Sequence, residues 1–227
     1  MPAFSTLDWI ALATFVAAWI VYHLVADRAN AHYRGLNLLM NEARGEWMRR
    51  MRDRDPRIVD AQIMATLQNG AAFFTSTSLI ALGASIGMLR AADDVIRVFD
   101  DLPFGATPSR ALWEMKICGM AVIFGYAFFK FGWAYRLFNY AAILIGATPA
   151  ADGGDEAAID RATRRAARMN VAAGRHFARG QRAFFFAVAY LGWFLGPWAL
   201  IGTTLFVLVV MSLRQFRSDA RDALLEP

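Results

Sequence analysis

The sequence predicts an all-helical fold, an integral membrane four-helix bundle with two cytoplasmic helical extensions. Three observations carry that reading. Hydrophobic residues make up 57% of the 227 and charged residues only 19%, with a mean hydropathy of +0.33, where an ordinary soluble domain is about 45 to 50% apolar. Four long apolar stretches recur along the chain, and the arginines gather in the connections between the first and second and between the third and fourth. So apolar a composition excludes an extended disordered chain and argues against a soluble enzyme. The single Cys118 excludes an intrachain disulfide framework, and no Cys/His spacing fits structural zinc. Residues 1–227 are read as a single membrane domain.

The first stretch, residues 9–26, is interrupted only by Thr14, Tyr22 and His23. It is long enough for a hydrocarbon core of about 30 Å, which takes about 20 helical residues. Asp8 before it and His23, Asp27 and Arg28 at its end do not fit a signal peptide, so a retained span is expected. The second, residues 63–89, has a polar inner end in Gln68, Asn69 and the run Thr75-Ser76-Thr77-Ser78. Its Gly83 and Gly87 form a small-xxx-small pattern that lets two helix backbones approach closely, either within this chain or in a second copy.

The third stretch opens with Thr107-Pro108, an N-cap followed by proline at the first helical position, and stays apolar over residues 111–135. Leu137 to Ala147 is apolar again after Arg136, so this helix either projects past the bilayer or bends into the interface. The fourth, residues 183–213, is longer than one crossing requires and has Gly196-Pro197 at its centre. A kinked single helix is expected; two half-length segments in a re-entrant hairpin are the alternative, and they reverse the side of the C-terminus.

Orientation follows from the retention of Arg and Lys on the cytoplasmic side. The segments 27–62 and 136–182 each hold eight arginines, whereas the connection from Arg90 to Arg110 sets three against Asp93, Asp94, Asp100 and Asp101. Both Arg-rich segments are therefore placed in the cytoplasm of a multi-pass protein of the bacterial inner membrane. A single fourth crossing then leaves the C-terminus outside, against the sense of Arg214, Arg217 and Arg221.

In the first cytoplasmic segment Leu36, Met40, Ala43, Trp47 and Met51 recur at helical spacing, giving an amphipathic helix that packs on the other segment, on a second copy or on lipid headgroups. Asp55-Pro56 ends it. In the second, Asp155 caps an Ala-rich helix along which Arg161, Arg165, Arg168, Arg175, Arg179 and Arg182 succeed one another by three, four or seven residues and so share a face. This guanidinium ladder serves positive-inside topology, with salt bridges to acids of the first segment, or it recognises an anion, because Arg binds phosphate and carboxylate bidentately. Topology alone accounts for the net charge of +5, so no nucleic-acid partner is expected.

Three stretches carry a family resemblance: Gln68-Asn69-Gly70-Ala71-Ala72-Phe73-Phe74-Thr75-Ser76-Thr77-Ser78-Leu79, Lys130-Phe131-Gly132-Trp133-Ala134-Tyr135-Arg136-Leu137-Phe138-Asn139-Tyr140, and the run from Gly174-Arg175-His176-Phe177 to Phe184-Phe185-Phe186. Over nearly its whole length the chain resembles the bacterial and plant membrane-protein family known as domain of unknown function five hundred and ninety-nine. The resemblance implies a four-span inner-membrane protein and supplies no reaction.

The candidate residues follow from charge inside apolar surroundings. Lys130 and Arg136 interrupt the third stretch, where an ionisable group must snorkel, pair or line a vestibule. With Arg175, Arg179 and Arg182 they form the anion-binding or lipid-binding candidates; Gln68, Asn69, Thr75 and Ser78 are the polar candidates of the second span, and Gly83 and Gly87 the helix-contact positions. His23, His32 and His176 fall near the inner face, where haem or metal ligation is a minor alternative to no cofactor. No P-loop, dinucleotide fingerprint, nucleophile elbow or zincin helix occurs, so no catalytic residue is expected. The expected function is that of a non-catalytic interaction or accessory protein, a homo-oligomer or the companion of a membrane partner, whose Arg-rich face binds anionic lipid or a partner protein. The alternative is a small oligomeric anion channel or transporter.

Overall fold

A computed structural model describes residues 4–27, 34–93, 109–150 and 155–225. Among these there is no strand. The helices are α1 (Thr6–Asp27), α2 (Leu36–Met51), α3 (Ile58–Arg90), α4 (Arg110–Gly146), α5 (Glu156–Leu195), α6 (Pro197–Phe216) and a terminal turn, α7 (Asp219–Asp222). The all-helical class holds, and four segments are long and apolar enough to cross a membrane: α1, α3, α4 and Pro197–Asp222. Asp155 caps α5 as its sequence predicts, accepting the Ala158 amide at 3.0 Å. Thr107 and Pro108 lie outside the described residues; α4 is capped by Ser109, whose hydroxyl accepts the Leu112 amide at 3.3 Å. α4 then runs unbroken for 37 residues, through Arg136. At its end Arg57 donates to the Ile145 carbonyl at 3.0 Å and, just past the helix, to the carbonyls of Pro149 at 2.9 Å and of Thr148.

The chain gathers into two compact units. One comprises Met1–Arg28, Thr77–Ala127 and Gln181–Arg214; the other comprises Ala29–Ser76, Phe128–Gly180 and Gln215–Pro227. The helices α3, α4 and α5 each contribute to both.

The core of the first unit is aromatic. Phe15 meets Phe186 and Tyr190 edge-on at 5.7 and 5.4 Å, and Trp19 stacks on Phe186 at 5.2 Å. Asp8 pairs with Trp193 and Asp27 with Arg182, so α1 runs antiparallel to the end of α5. Here the expected fourth span is corrected. Residues 183–213 are not one kinked helix, because the helix ends at Leu195 and restarts at Pro197. Gly196 sits at φ +137°, a conformation that glycine adopts without Cβ strain, and Pro197 takes the first helical position of α6, where no amide hydrogen is needed. The chain then doubles back: Thr203 donates to the Ala189 carbonyl at 2.7 Å, and the Tyr22 hydroxyl to the Met211 carbonyl at 3.1 Å. α6 thus returns to the end of this unit where Asp27 and Arg182 pair. The arms are unequal, since α6 alone has 20 residues and the other arm is the tail of a 40-residue helix.

The second unit is built on small and sulfur-bearing side chains, with Met48, Met51, Met64, Phe138, Ala166 and Ala173 all fully or nearly fully buried. α2 packs inside it. Its buried residues are Leu39, Met48 and Met51; of the stripe that periodicity picks out, Met51 is buried and Trp47 packs on the core, while Met40 is 40% exposed. The ion pairs that join the two Arg-rich segments run opposite to expectation, because Arg52 of the first segment donates to Glu156 and to Asp160, at 2.9 Å, of the second.

Candidate functional site

The ladder on α5 separates into distinct environments. Arg161, Arg164, Arg165, Arg168 and Arg175 are exposed, opposite a covered face of Ala166, Asn170 and Ala173. Arg164 pairs with Asp160 at 3.0 Å and Arg161 lies 3.8 Å from Asp155, whereas Arg165 and Arg175 form no ion pair among the described residues. Arg182 belongs to another setting. Its side chain is 6% exposed and donates to Asp27, itself partly exposed, at 2.7 Å inside the first unit, which makes it a structural pair.

Of the other cationic candidates, Arg136 lies over the rings of Trp133 and Tyr140, at 5.8 and 5.5 Å, and donates to the Tyr140 hydroxyl at 2.6 Å. Lys130 and Arg179 act together on His176. Burial first, and then these two cations, hold the imidazole below its ordinary pKa, so it is neutral near pH 7. The structure therefore brings Lys130, Arg179 and His176 into one basic cluster in the second unit, with Arg136 reaching it only over Trp133, whose ring meets His176 at 6.4 Å, leaves Arg175 exposed, and sets Arg182 in the first unit. His23 pairs with Asp27 at 3.2 Å in the first unit and borders an apolar cavity of about 340 Å³ lined also by Trp19, Val122 and Tyr126. His32 lies outside the described residues. Among the described residues no three His, Cys, Asp or Glu side chains gather as a metal site would require.

Of the polar residues of the second span, Gln68, Thr75 and Ser78 turn to the covered side and Asn69 does not. Gln68 donates to Asn139 at 2.8 Å, Thr75 to the Ala71 carbonyl at 2.7 Å, and Ser78 is fully buried, while Asn69 is exposed. Gly83 and Gly87 are exposed too, with nothing within 4 Å of where a Cβ would stand, so they make no close helix contact within the described chain. They complete a stripe along α3. Gln62, Thr66, Asn69, Phe73, Ser76, Ile80, Gly83 and Gly87 alternate by four and three residues, and all are exposed. Only 11% of the apolar window of α3 is covered, against 33% for α4.

Helical spacing alone does not single out Arg44. Arg44 donates to Asn170 Oδ1 at 2.9 Å and lies over Phe138 at 5.7 Å. Its Nε would stand 2.8 Å from a Cβ at Gly174, so only glycine admits this approach. Burial pushes the pKa of Arg44 below the usual arginine value. No carboxylate among the described residues answers its charge. Asn170 is itself fully buried, and its Nδ2 donates to nothing. The available signal was Asn170 standing in line with Ala166 and Ala173 on a face otherwise made of alanine.

In comparison with known proteins, residues 10–220 match the model of the family described as "Protein of unknown function, DUF599". No curated protein and no solved structure matches.

Proposed function

Because the chain belongs to the DUF599 family, whose description names no activity, we propose a function from the arrangement of its charges: a non-catalytic, multi-pass protein of the bacterial inner membrane whose α5 arginine face binds the headgroups of anionic lipids. The observation that carries this reading is the exposed row Arg161, Arg164, Arg165, Arg168 and Arg175, in which Arg165 and Arg175 have no acidic partner among the described residues. Each basic side chain close to an anionic membrane surface contributes about 1 kcal/mol. The hairpin at Gly196 supports the orientation as well. It returns Arg214 to the Asp27–Arg182 end of the first unit, and Arg217 and Arg221 follow it, so the C-terminal charges cease to oppose the positive-inside assignment.

The test is native mass spectrometry of protein released from vesicles that mix phosphatidylglycerol with phosphatidylcholine. Replacing Arg165, Arg168 and Arg175 together by Gln should lower retained phosphatidylglycerol by about tenfold or more; unchanged retention sinks the reading.

The exposed stripe of α3 supports assembly with a second copy. Thr66, Asn69 and Ser76 are costly to leave in lipid, and Gly83 with Gly87 gives the clearance that a facing helix needs. Gly83→Leu with Gly87→Leu should convert the oligomer to monomer in mild detergent. The rival reading, a small oligomeric anion channel, draws on the same stripe as a polar lining. Anion flux in proteoliposomes that falls on Asn69→Leu would favour it over the accessory role.

A further inference from the structure

We infer that Arg44 and Asn170 form a binding site for one compact oxyanion, a phosphate group, inside the second unit. Asn170 is fully buried, and its Nδ2 has no partner. Its orientation is fixed by chemistry. The Oδ1 accepts from Arg44 Nη1 at 2.9 Å, and turning the amide over would set two donors against each other. A buried donor is therefore left beside a guanidinium that spends one of its five N–H groups on this contact and meets no carboxylate among the described residues.

What the pair lacks is an acceptor bearing negative charge. A largely covered cation without a counter-charge is disfavoured, and the same unit shows the usual remedy at its fully buried carboxylate, Asp60, whose Oδ1 accepts from Trp47 at 2.7 Å and Arg54 at 2.8 Å. A water molecule would satisfy Asn170 but leave the charge of Arg44 standing. An oxyanion answers both, because guanidinium presents its N–H groups as a fork that matches two oxygens of a phosphate, with the carboxamide free to donate to a third. Gly174 lets the guanidinium lie directly against α5. This site is separate from the exposed ladder, which meets many headgroups diffusely, whereas a buried Arg–Asn pair takes one phosphate.

The experiment compares thermal unfolding of the full chain in neutral detergent, in sodium phosphate against sodium chloride of equal ionic strength. Phosphate in large excess should raise the wild-type midpoint by about 5 °C. Asn170→Asp sets a carboxylate beside Arg44, so this variant should be more stable than wild type without phosphate and show no phosphate shift. A second arm uses nanodiscs containing phosphatidic acid or phosphatidylcholine without free phosphate, and a shift confined to phosphatidic acid assigns the phosphate to a lipid. Should Asn170→Asp fail to fold, ³¹P line broadening of inorganic phosphate, or of phosphatidic acid if that is the ligand, decides: it should be present with wild type and lost with Arg44→Gln. The inference is overturned if neither phosphate source shifts the wild type beyond the chloride control, if Asn170→Asp responds as wild type does, or if Arg44→Gln broadens the signal equally. Substituting Arg165, Arg168 and Arg175 should leave the response intact, which separates this site from lipid binding at the ladder.

Discussion

In the first unit each buried charge meets a partner of its own. Asp8 accepts from the Ser5 hydroxyl at 2.6 Å and the Trp193 indole at 2.9 Å, Lys116 donates to the Trp193 carbonyl at 2.7 Å, and Arg182 donates to Asp27 at 2.7 Å. In the second unit Asp60 meets two donors at Oδ1, but Arg44 reaches only an amide and Asn170 keeps an idle donor, while Arg165 and Arg175 face outward without acids. The difference separates polarity that holds helices together from polarity available to a ligand. Burial and partners draw the line, since both units contain arginines on the same α5 helix.

The largest loss is expected where a structural partner is removed. Asp27→Asn strips Arg182 of its counter-charge in a setting where its side chain is 6% exposed, and loss of about 3 kcal/mol is expected. Chemical unfolding in detergent checks this, and adding Arg182→Met should restore part of the loss. A pair that can be broken without cost would mean that the first unit does not depend on it.

Next in size is the hairpin. A Cβ at Gly192 would stand 2.8 Å from the Ala199 carbonyl oxygen and 2.3 Å from Thr203 Oγ1. Backbone cannot yield as a side-chain tip does, so Gly192→Ala should cost about 2 kcal/mol or more. Gly83→Ala, with open space around it, should change the stability of the monomer by no more than about 0.5 kcal/mol. Equal effects at the two glycines would contradict the fold-back of α6 on α5.

These two tests also show what the sequence could convey. Length and hydropathy were enough for α1, α3 and α4, because a long apolar helix is a property of consecutive residues. Gly196-Pro197 announced a break, yet a kink and a reversal share that dipeptide, and what decides is whether Thr203 finds Ala189 and Met211 finds Tyr22. Arg175 and Arg182 are seven apart and share a face by periodicity, but one is exposed and the other meets Asp27. Helical spacing reports direction and not what stands opposite. Asn170 was visible as a polar residue among alanines; that Arg44 faces it required the packing of α2.

A pH measurement sharpens the second unit further. His176 is held below its ordinary pKa by burial and by Lys130 and Arg179, so the unfolded chain binds a proton at higher pH than the folded one. The neutral ring's contribution is present above about pH 6.5 and is lost as pH falls below that value. His176→Gln should flatten this acid limb of the stability profile. An anion bound near Lys130 and Arg179 would offset their repulsion, so anionic lipid should reduce the acid loss in wild type and have no such effect in the variant. An acid limb unchanged by His176→Gln would assign the titration to another group.

The smallest effect on folding should come from the ladder itself. Arg165 and Arg168 are exposed, and Arg165 has no ion pair to lose. Exposed guanidinium groups of this kind stabilise a fold by little, because water and salt screen them. Arg165→Gln with Arg168→Gln should therefore leave unfolding unchanged within about 0.5 kcal/mol, while Arg182→Gln on the same helix destabilises by several times more. Lipid retention should rank the variants in the reverse order, falling with the ladder pair and holding for whatever folded protein Arg182→Gln yields. If the ladder pair unfolded the chain, its arginines would belong with Arg182 as structural groups, and the division between the units would have to be redrawn.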